Sequence, residues 1–292
     1  LVIPDNGRLT HQFLIPPHEK NGAKNGQIVS AEITDYPTRR LGAKARISEI
    51  LGDHLDPGLE IDVAIRSHDI PWEWPEAVLD EAGRLEAEPA EADKANRRDL
   101  RELPFVTIDG EDARDFDDAV YCEKRRLGGW RLWVAIADVS HYVRPGSALD
   151  EEAIKRATSV YFPERVVPML PEALSNGLCS LKPNVDRLAM VCEMEISKTG
   201  QLGKYRFYES VIHSHARLTY TQVGEVLENG SHPDVDKSRE PDLMRPHSLD
   251  KVVRGARDVR GALAFETEET RIIFDDQKKI ESIVPVVRND AH

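Results

Sequence analysis

The most informative stretch of the sequence is Ile108-Asp109-Gly110-Glu111-Asp112-Ala113-Arg114-Asp115-Phe116-Asp117-Asp118-Ala119. Six of the ten positions from 109 to 118, called here the acidic segment, are carboxylates, and Arg114 is the positive charge among them. Apolar, strand-like sequence flanks the segment on both sides. Carboxylates beside a core resist burial unless a cation compensates them. Without His or Cys, their hard oxygens favour Mg²⁺, Mn²⁺ or Ca²⁺ over Zn²⁺.

The spacing of the acids excludes two common loops. An EF-hand loop starting at Asp115 would place Ala119 at its fifth position and Val120 at its sixth, where an acid or amide and a glycine are required. The chain also contains no G-x-x-x-x-G-K-S/T phosphate loop. The remaining interpretation is an octahedral metal site that takes phosphate oxygens as ligands, as in phosphodiester cleavage. From composition alone, a solvated acidic loop stays open as the alternative.

Composition limits the class of protein. The chain has 292 residues, with 39 Lys and Arg against 52 Asp and Glu, which gives a net charge of −13. This balance argues against a generally basic nucleic-acid binder and against a membrane-surface protein, while a local basic groove stays possible. No apolar run approaches the ~18 residues of a membrane span. Three widely spaced cysteines, without a C-x-x-C motif, predict reduced thiols and a cytoplasmic location.

The length predicts two domains joined by a linker. Residues 1–67 are predicted to form an all-β OB-fold (cold-shock-like) barrel, an expectation that leaves open whether its first strand is included. The predicted strands lie within residues 10–15, 27–33, 43–51 and 59–65. Residues 68–103 predict a polar, acidic helical linker outside the core.

Residues 104–292 predict a larger α+β body. We expect a strand at 130–139, capped helices after Ser147 and Thr219, a helix at 248–260, and hairpins around 198–201 and 275–278. Residues 231–247 are polar and contain proline, which predicts a loop.

A basic stretch lies in the first domain. It contains Arg39 and Arg40, followed by Lys44 and Arg46. Local sequence favours a solvated strand edge, on which lysines also discourage aggregation. On a five-stranded barrel the same residues would form a rim that contacts phosphates.

The acidic segment resembles the signature of the ribonuclease II / ribonuclease R family of exoribonucleases. The first domain resembles the second cold-shock domain of the ribonuclease R branch, and the similarity runs over nearly the whole chain. Further matching motifs are Trp133-Val134-Ala135-Ile136-Ala137-Asp138-Val139-Ser140, Ser159-Val160-Tyr161-Phe162-Pro163, Pro168-Met169-Leu170-Pro171, Leu174-Ser175-Asn176-Gly177-Leu178-Cys179-Ser180-Leu181 and Arg288-Asn289-Asp290-Ala291-His292.

This resemblance implies Mg²⁺-dependent, processive hydrolysis of RNA from its 3′ end, with release of 5′-mononucleotides and Mn²⁺ as a substitute ion. Asp109, Asp115, Asp117 and Asp118 match the family's metal-holding aspartates, and Asp117 holds the position expected to be essential for catalysis. The implied partner is the 3′ end of single-stranded RNA, with no membrane and no obligate protein partner.

Five further residues are expected to contact RNA. By the resemblance, Tyr161 stacks near the 3′-terminal nucleotide and Phe265 clamps the strand, whereas a strand-end aromatic is by default a core residue. Arg39, Arg40 and Arg217 are candidate phosphate contacts.

The chain departs from the family pattern because it ends before the rest of the catalytic domain, including a downstream glutamate and arginine. We therefore expect a fragment with a truncated catalytic domain and with weak or no activity of its own. Two alternatives stay open at this point. One is a non-catalytic RNA-binding module that retains a degenerate metal site, and the other is a calcium-stabilised structural domain.

Overall fold

The computed structural model describes residues 1–38, 41–54, 56, 58–163, 165–263, 269–276 and 280–292. The chain divides into two compact units. Unit 1 consists of Leu1–Glu73 with Ile272–Ser282, and unit 2 consists of Trp74–Arg271 with Ile283–His292. The strands are β1 (Gln27–Asp35), β2 (Lys44–Asp53), β3 (Arg98–Asp99), β4 (Val106–Asp109), β5 (Asp118–Lys124), β6 (Trp130–Ala137), β7 (Val160–Phe162), β8 (Arg165–Val167), β9 (Asp186–Ile196), β10 (Leu202–His213), β11 (Ala216–Thr219), β12 (Thr270–Phe274) and β13 (Ile280–Pro285). The helices are α1 (Leu59–Ser67), α2 (Glu76–Ala82), α3 (Glu91–Lys94), α4 (Val139–Tyr142), α5 (Ala148–Arg156), α6 (Tyr220–Asn229) and α7 (Glu240–Val259).

Unit 1 is organised around the antiparallel pair of β1 and β2. A small core forms where the chain around Phe13 and Ile15 packs against β2. Two basic residues of the predicted rim, Lys44 and Arg46, lie on β2 and form exposed ion pairs with acids on β1, at 3.4 and 2.6 Å. The described part of the basic stretch therefore carries paired charges, which suits the solvated-edge interpretation.

The strand predicted at residues 59–65 is wrong, because this stretch is the helix α1. Its alternating apolar residues also satisfy a helical spacing, since Ile61 and Ile65 lie four residues apart. Asp62 and Arg66 have the same spacing and form an ion pair at 3.4 Å. Arg66 also pairs with Glu49 on β2, so a contact beyond the local sequence favours the helix.

Unit 2 is built on a seven-stranded mixed sheet with the order β11-β4-β5-β6-β9-β10-β3. The main apolar cluster of the chain packs on this sheet, and a smaller one lies between β5, β6, β9 and α7. β4 and β5 are antiparallel neighbours. The end of β4 and the start of β5 therefore lie at the same end of the sheet, and the acidic segment connects them.

The expectation that the linker lies outside the core is wrong. Its side chains Val78, Ala82 and Leu100 are at most 7% exposed and belong to the main cluster of unit 2. Trp74 packs against the guanidinium of Arg156, whose carbon lies 3.4 Å from the ring centroid. The linker is rich in charged residues, so its short apolar face was not recognised from the sequence. In the structure this face of α2 packs against the main apolar cluster of unit 2.

The loop predicted for residues 231–247 is also partly wrong, since α7 begins at Glu240 and contains Pro246. Proline removes one backbone donor and normally disfavours a helix interior. Here Leu243 and Leu249 are buried on either side of it, at 2% and 3% exposure. This packing offsets the local cost, as tertiary contacts commonly do.

The two predicted helix caps and the first predicted hairpin of unit 2 are confirmed. Ser147 caps α5 by accepting the Asp150 amide, and Thr219 and Gln222 form a reciprocal capping box on α6. β9 and β10 form the hairpin expected around residues 198–201. β12 and β13, on either side of the hairpin predicted around 275–278, form a two-stranded sheet, and residues 277–279 lie outside the described residues. Among the described residues, no helix combines the length and apolar character needed to cross a membrane.

Candidate active site

The four predicted metal ligands lie along the connection between β4 and β5. Asp109 is the last residue of β4 and Asp118 is the first residue of β5. Asp115 and Asp117 flank Phe116, whose ring is buried at 7% exposure. The Ala137 amide of the neighbouring segment donates to the Asp117 carbonyl at 2.9 Å. The buried ring and the backbone bond thus hold the aspartates at the end of the sheet where β4 ends and β5 begins.

The carboxylates influence one another electrostatically. Burial, followed by the charges of Asp115, Asp118 and Asp109, raises the pKa of Asp117. Burial and the charge of Asp109 raise the pKa of Asp118. The carboxylates of Asp109, Asp115 and Asp118 thus lie near enough to Asp117 for their charges to oppose its ionisation. The concentration of negative charge favours a cation there.

The donor set fits a hard divalent cation in chemistry, although no complete cage is formed. Within the described ranges, no group of three or more His, Cys, Asp and Glu side chains is arranged to hold a metal ion. Mg²⁺ typically keeps several waters and uses one or two carboxylates together with substrate phosphates. The donor chemistry therefore suits an ion that completes its shell from water and phosphate oxygens.

The raised pKa of Asp117 leads to a prediction about metal-free protein. A carboxyl whose pKa is higher in the folded state favours folding when protonated, and this contribution is lost as the pH rises through that pKa. In EDTA, Asp117→Asn should therefore melt above the wild type, by a margin that widens from about pH 4, the ordinary Asp range, to neutral pH. Thermal melts across this range test it, with Asp112→Asn as control. A margin independent of pH would contradict the shared site.

Tyr161 lies at this site. Its hydroxyl donates to Oδ2 of Asp115 at 2.7 Å, while the residue is 64% exposed on β7. Burial of the hydroxyl end and the bond to Asp115 raise the pKa of Tyr161 to about 12, so it remains protonated and a donor. The ring offers an exposed face beside the aspartates, where a nucleobase can stack. Its contact with RNA stays a prediction.

The first part of the acidic segment is held by β11 and α6. The Arg217 guanidinium donates to the carbonyls of Gly110 and Glu111, at 3.1 and 2.6 Å. The Thr221 hydroxyl donates to the Glu111 carboxylate, and this bond lowers the pKa of Glu111. Asp112 pairs with Arg271 at 3.2 Å. Arg217 thus contacts the backbone of the site, and its predicted role with phosphate stays a prediction.

Three predicted RNA contacts, Arg39, Arg40 and Phe265, lie outside the described residues. Two residues near the aspartates were not singled out from the sequence. Tyr220 opens α6, and the charges of Asp109 and Asp118 contribute to its raised pKa, after burial. Ser180 is fully buried and contacts the backbone of the acidic segment. The position of Tyr220 after a capping residue offered a weak signal, whereas Ser180 offered none outside the matching motif.

Known families account for both units. The sheet with its acidic cluster, preceded in the sequence by a small β unit, corresponds to the class of RNB domain proteins with a cold shock domain. The RNB domain family matches residues 97–292 and the cold shock domain family matches residues 1–75. The chain belongs to the RNB domain family, and the predicted combination of an OB-like domain and an α+β domain is confirmed.

Relatives named ribonuclease R confirm the resemblance noted in the sequence. The protein of Vibrio cholerae serotype O1 is 58% identical over 292 residues, which are 100% of this chain and 36% of the relative. Mycoplasma genitalium RNase R in complex with ribose-methylated single-stranded RNA is 32% identical, with a TM-score of 0.89 over 97% of this chain and 44% of that chain. Its complex with double-stranded RNA gives the same score and covers 50% of that chain. The chain thus spans about a third of the length of its curated relatives.

The cysteines are free thiols, as predicted. Cys122 and Cys179 are buried, and burial raises the pKa of each to about 12. Cys192 is half-buried, and burial raises its pKa as well. All three therefore carry protonated, weakly reactive thiols at neutral pH.

Proposed function

We propose that the protein to which this chain belongs is a Mg²⁺-dependent, processive 3′-to-5′ exoribonuclease that releases 5′-mononucleotides. The observation that carries the proposal is the placement of Asp109 at the end of β4 and Asp118 at the start of the adjacent strand β5, with Asp115 and Asp117 in the connection between them. The ribonuclease R relatives support the same activity.

The four aspartates would hold the ion. Burial, followed by the charges of the other three aspartates, raises the pKa of Asp117. When bound, Mg²⁺ polarises a phosphate oxygen and makes a coordinated water more acidic. Mn²⁺ suits the same oxygen donors. The contribution of the chain itself is to position the carboxylates. A bound cation would oppose the burial and the like charges that raise the pKa values of Asp117 and Asp118.

Single-stranded RNA is the proposed substrate, with its 3′ end at the acidic cluster. Tyr161 offers an exposed ring there, and stacking accepts any base because every base has a π-face. The Mycoplasma RNase R structures, which contain single- and double-stranded RNA, support RNA as the ligand. Because the three cysteines are free thiols, we assign the protein to the reducing cytoplasm.

Single-turnover digestion tests this function. A 5′-labelled linear RNA, mixed with excess chain and Mg²⁺, should shorten stepwise from its 3′ end, while a circular RNA of the same sequence and a sample with EDTA stay intact. We expect slow hydrolysis, since the chain spans about a third of its relatives. Binding without consumption would make this chain a non-catalytic RNA-binding module. Rapid, processive degradation would contradict the expected weakness of the isolated chain.

The stacking role of Tyr161 predicts a loss of RNA affinity. Tyr161→Ala should weaken the binding of a short single-stranded RNA about tenfold, because stacking contributes about 1–3 kcal/mol per base. Tyr161→Phe keeps the ring and loses the bond to Asp115, so its affinity should stay near the wild-type value. Fluorescence anisotropy without metal measures binding without cleavage. Equal affinity of the alanine variant and the wild type would contradict stacking.

A further inference from the structure

Ser180 connects two parts of unit 2 that are distant in the sequence. Its hydroxyl donates to the Arg114 carbonyl at 3.0 Å and accepts the Phe116 amide at 3.0 Å. The next amide, that of Leu181, donates to the Phe116 carbonyl at 2.8 Å. One side chain and one amide therefore fix three consecutive peptide units around Asp115 and Asp117. Ser180 is 0% exposed, so water has no access to replace these bonds.

The backbone of Ser180 is in turn bound by the Arg187 side chain. The Nε atom of Arg187 donates to the carbonyls of Ser180 and Gly177, at 3.0 and 3.2 Å. The Nη1 atom of Arg187 donates to the carbonyl of Asp186. Arg187 is 5% exposed, so these bonds form in a dry environment where they are strong. Gly177 belongs to the π-helix Leu174–Leu178, a type of irregularity that is frequent at functional sites.

Like charges favour opening of the acidic segment, since four aspartates repel one another across it. Backbone bonds that do not depend on the charge state can oppose this opening. We propose that Ser180 is a positioning residue, whose hydroxyl holds Asp115 and Asp117 in the arrangement that accepts a divalent ion and a phosphate. The effect of Ser180 on metal and phosphate binding rests on the proposed function. The contact between Ser180 and the backbone of the acidic segment can be tested independently of that function.

Ser210 provides a matched control. It is also a serine of 0% exposure, and its hydroxyl donates to the Ala189 carbonyl at 3.1 Å. Ser210 lies on β10, which β6 and β9 separate from β5. Ser180→Ala and Ser210→Ala therefore each remove one buried hydroxyl, but only the first removes a contact with the acidic segment.

The first measurement is hydrogen exchange in EDTA, read by mass spectrometry of peptides that contain residues 110–118. Ser180→Ala should accelerate exchange there, whereas Ser210→Ala should leave it unchanged. Unchanged exchange in Ser180→Ala would overturn the proposal whether or not the protein binds a metal. Ser180→Cys, which keeps a similar shape with a weaker donor, should fall between alanine and serine.

The second measurement is calorimetric titration with Mg²⁺. Loss of groups that orient metal ligands typically weakens metal binding by about 10- to 100-fold, so we expect at least about a tenfold weakening for Ser180→Ala. Ser210→Ala should stay within about twofold, because distant sites act independently. Faster exchange with unchanged Mg²⁺ affinity would overturn the positioning role. Failure of the wild type to bind Mg²⁺ would count against the proposed metal site, while the exchange data would still decide the backbone contact.

Discussion

Asp117→Asn should lower the rate of Mg²⁺-dependent RNA hydrolysis by at least about a hundredfold. Loss of a residue that only supports a metal ligand costs about 10- to 100-fold, and Asp117 is expected to be a ligand itself. The substitution preserves size and removes a charge that burial, followed by the charges of Asp115, Asp118 and Asp109, disfavours. Single-turnover digestion with excess chain measures the rate even when hydrolysis is slow.

Asp112→Asn is the control for this experiment. Asp112 belongs to the same acidic segment, but its carboxylate is 87% exposed and pairs with Arg271. This variant should keep the wild-type rate within about twofold, since surface substitutions usually have small effects. Equal losses in the two variants would indicate a general effect of negative charge and would contradict a specific role of Asp117.

Phe116→Ala should reduce the free energy of unfolding of unit 2 by about 3–5 kcal/mol, the usual cost of truncating a buried phenylalanine. The ring belongs to the main apolar cluster, and the Arg217 guanidinium lies 5.6 Å from its centroid. Loss of the Phe116 ring would leave a cavity in the core next to Asp115 and Asp117. Urea unfolding, followed by circular dichroism, measures the change.

The less severe variant Phe116→Leu should cost less, because most of the buried volume remains. It should also retain more Mg²⁺ affinity than Phe116→Ala. A cost below about 0.5 kcal/mol for the alanine variant would be typical of a surface position. Such a result would contradict the view that the core anchors the acidic segment.

Local signals in the sequence predicted the elements that local chemistry specifies. The caps at Ser147 and Thr219 and the hairpin of β9 and β10 depend on neighbouring residues, and they form as expected. The acidic segment stood out because apolar strands flank a run of carboxylates, and its metal-binding interpretation came partly from the family resemblance.

Elements decided by distant contacts were not predictable in this way. The alternation at residues 59–65 fits both a strand and a helix, and the pairing of Arg66 with Glu49 favours the helix. Pro246 suggested a loop, whereas burial of Leu243 supports α7. Ser180 contacts a backbone amide 64 residues away, a relation that no local pattern carries. The acidic segment was therefore visible in the sequence, whereas the long-range contacts that hold it were not.

Calorimetric titration of the metal-free chain with Mg²⁺, using single Asp→Asn variants, shows whether Asp109, Asp115, Asp117 and Asp118 form one site for a divalent ion. With one shared site, we expect binding by the wild type and by Asp112→Asn, and at least about tenfold weaker binding for substitutions at Asp109, Asp115, Asp117 and Asp118. Absence of Mg²⁺ binding by the wild type, or wild-type affinity in those four variants, would contradict it.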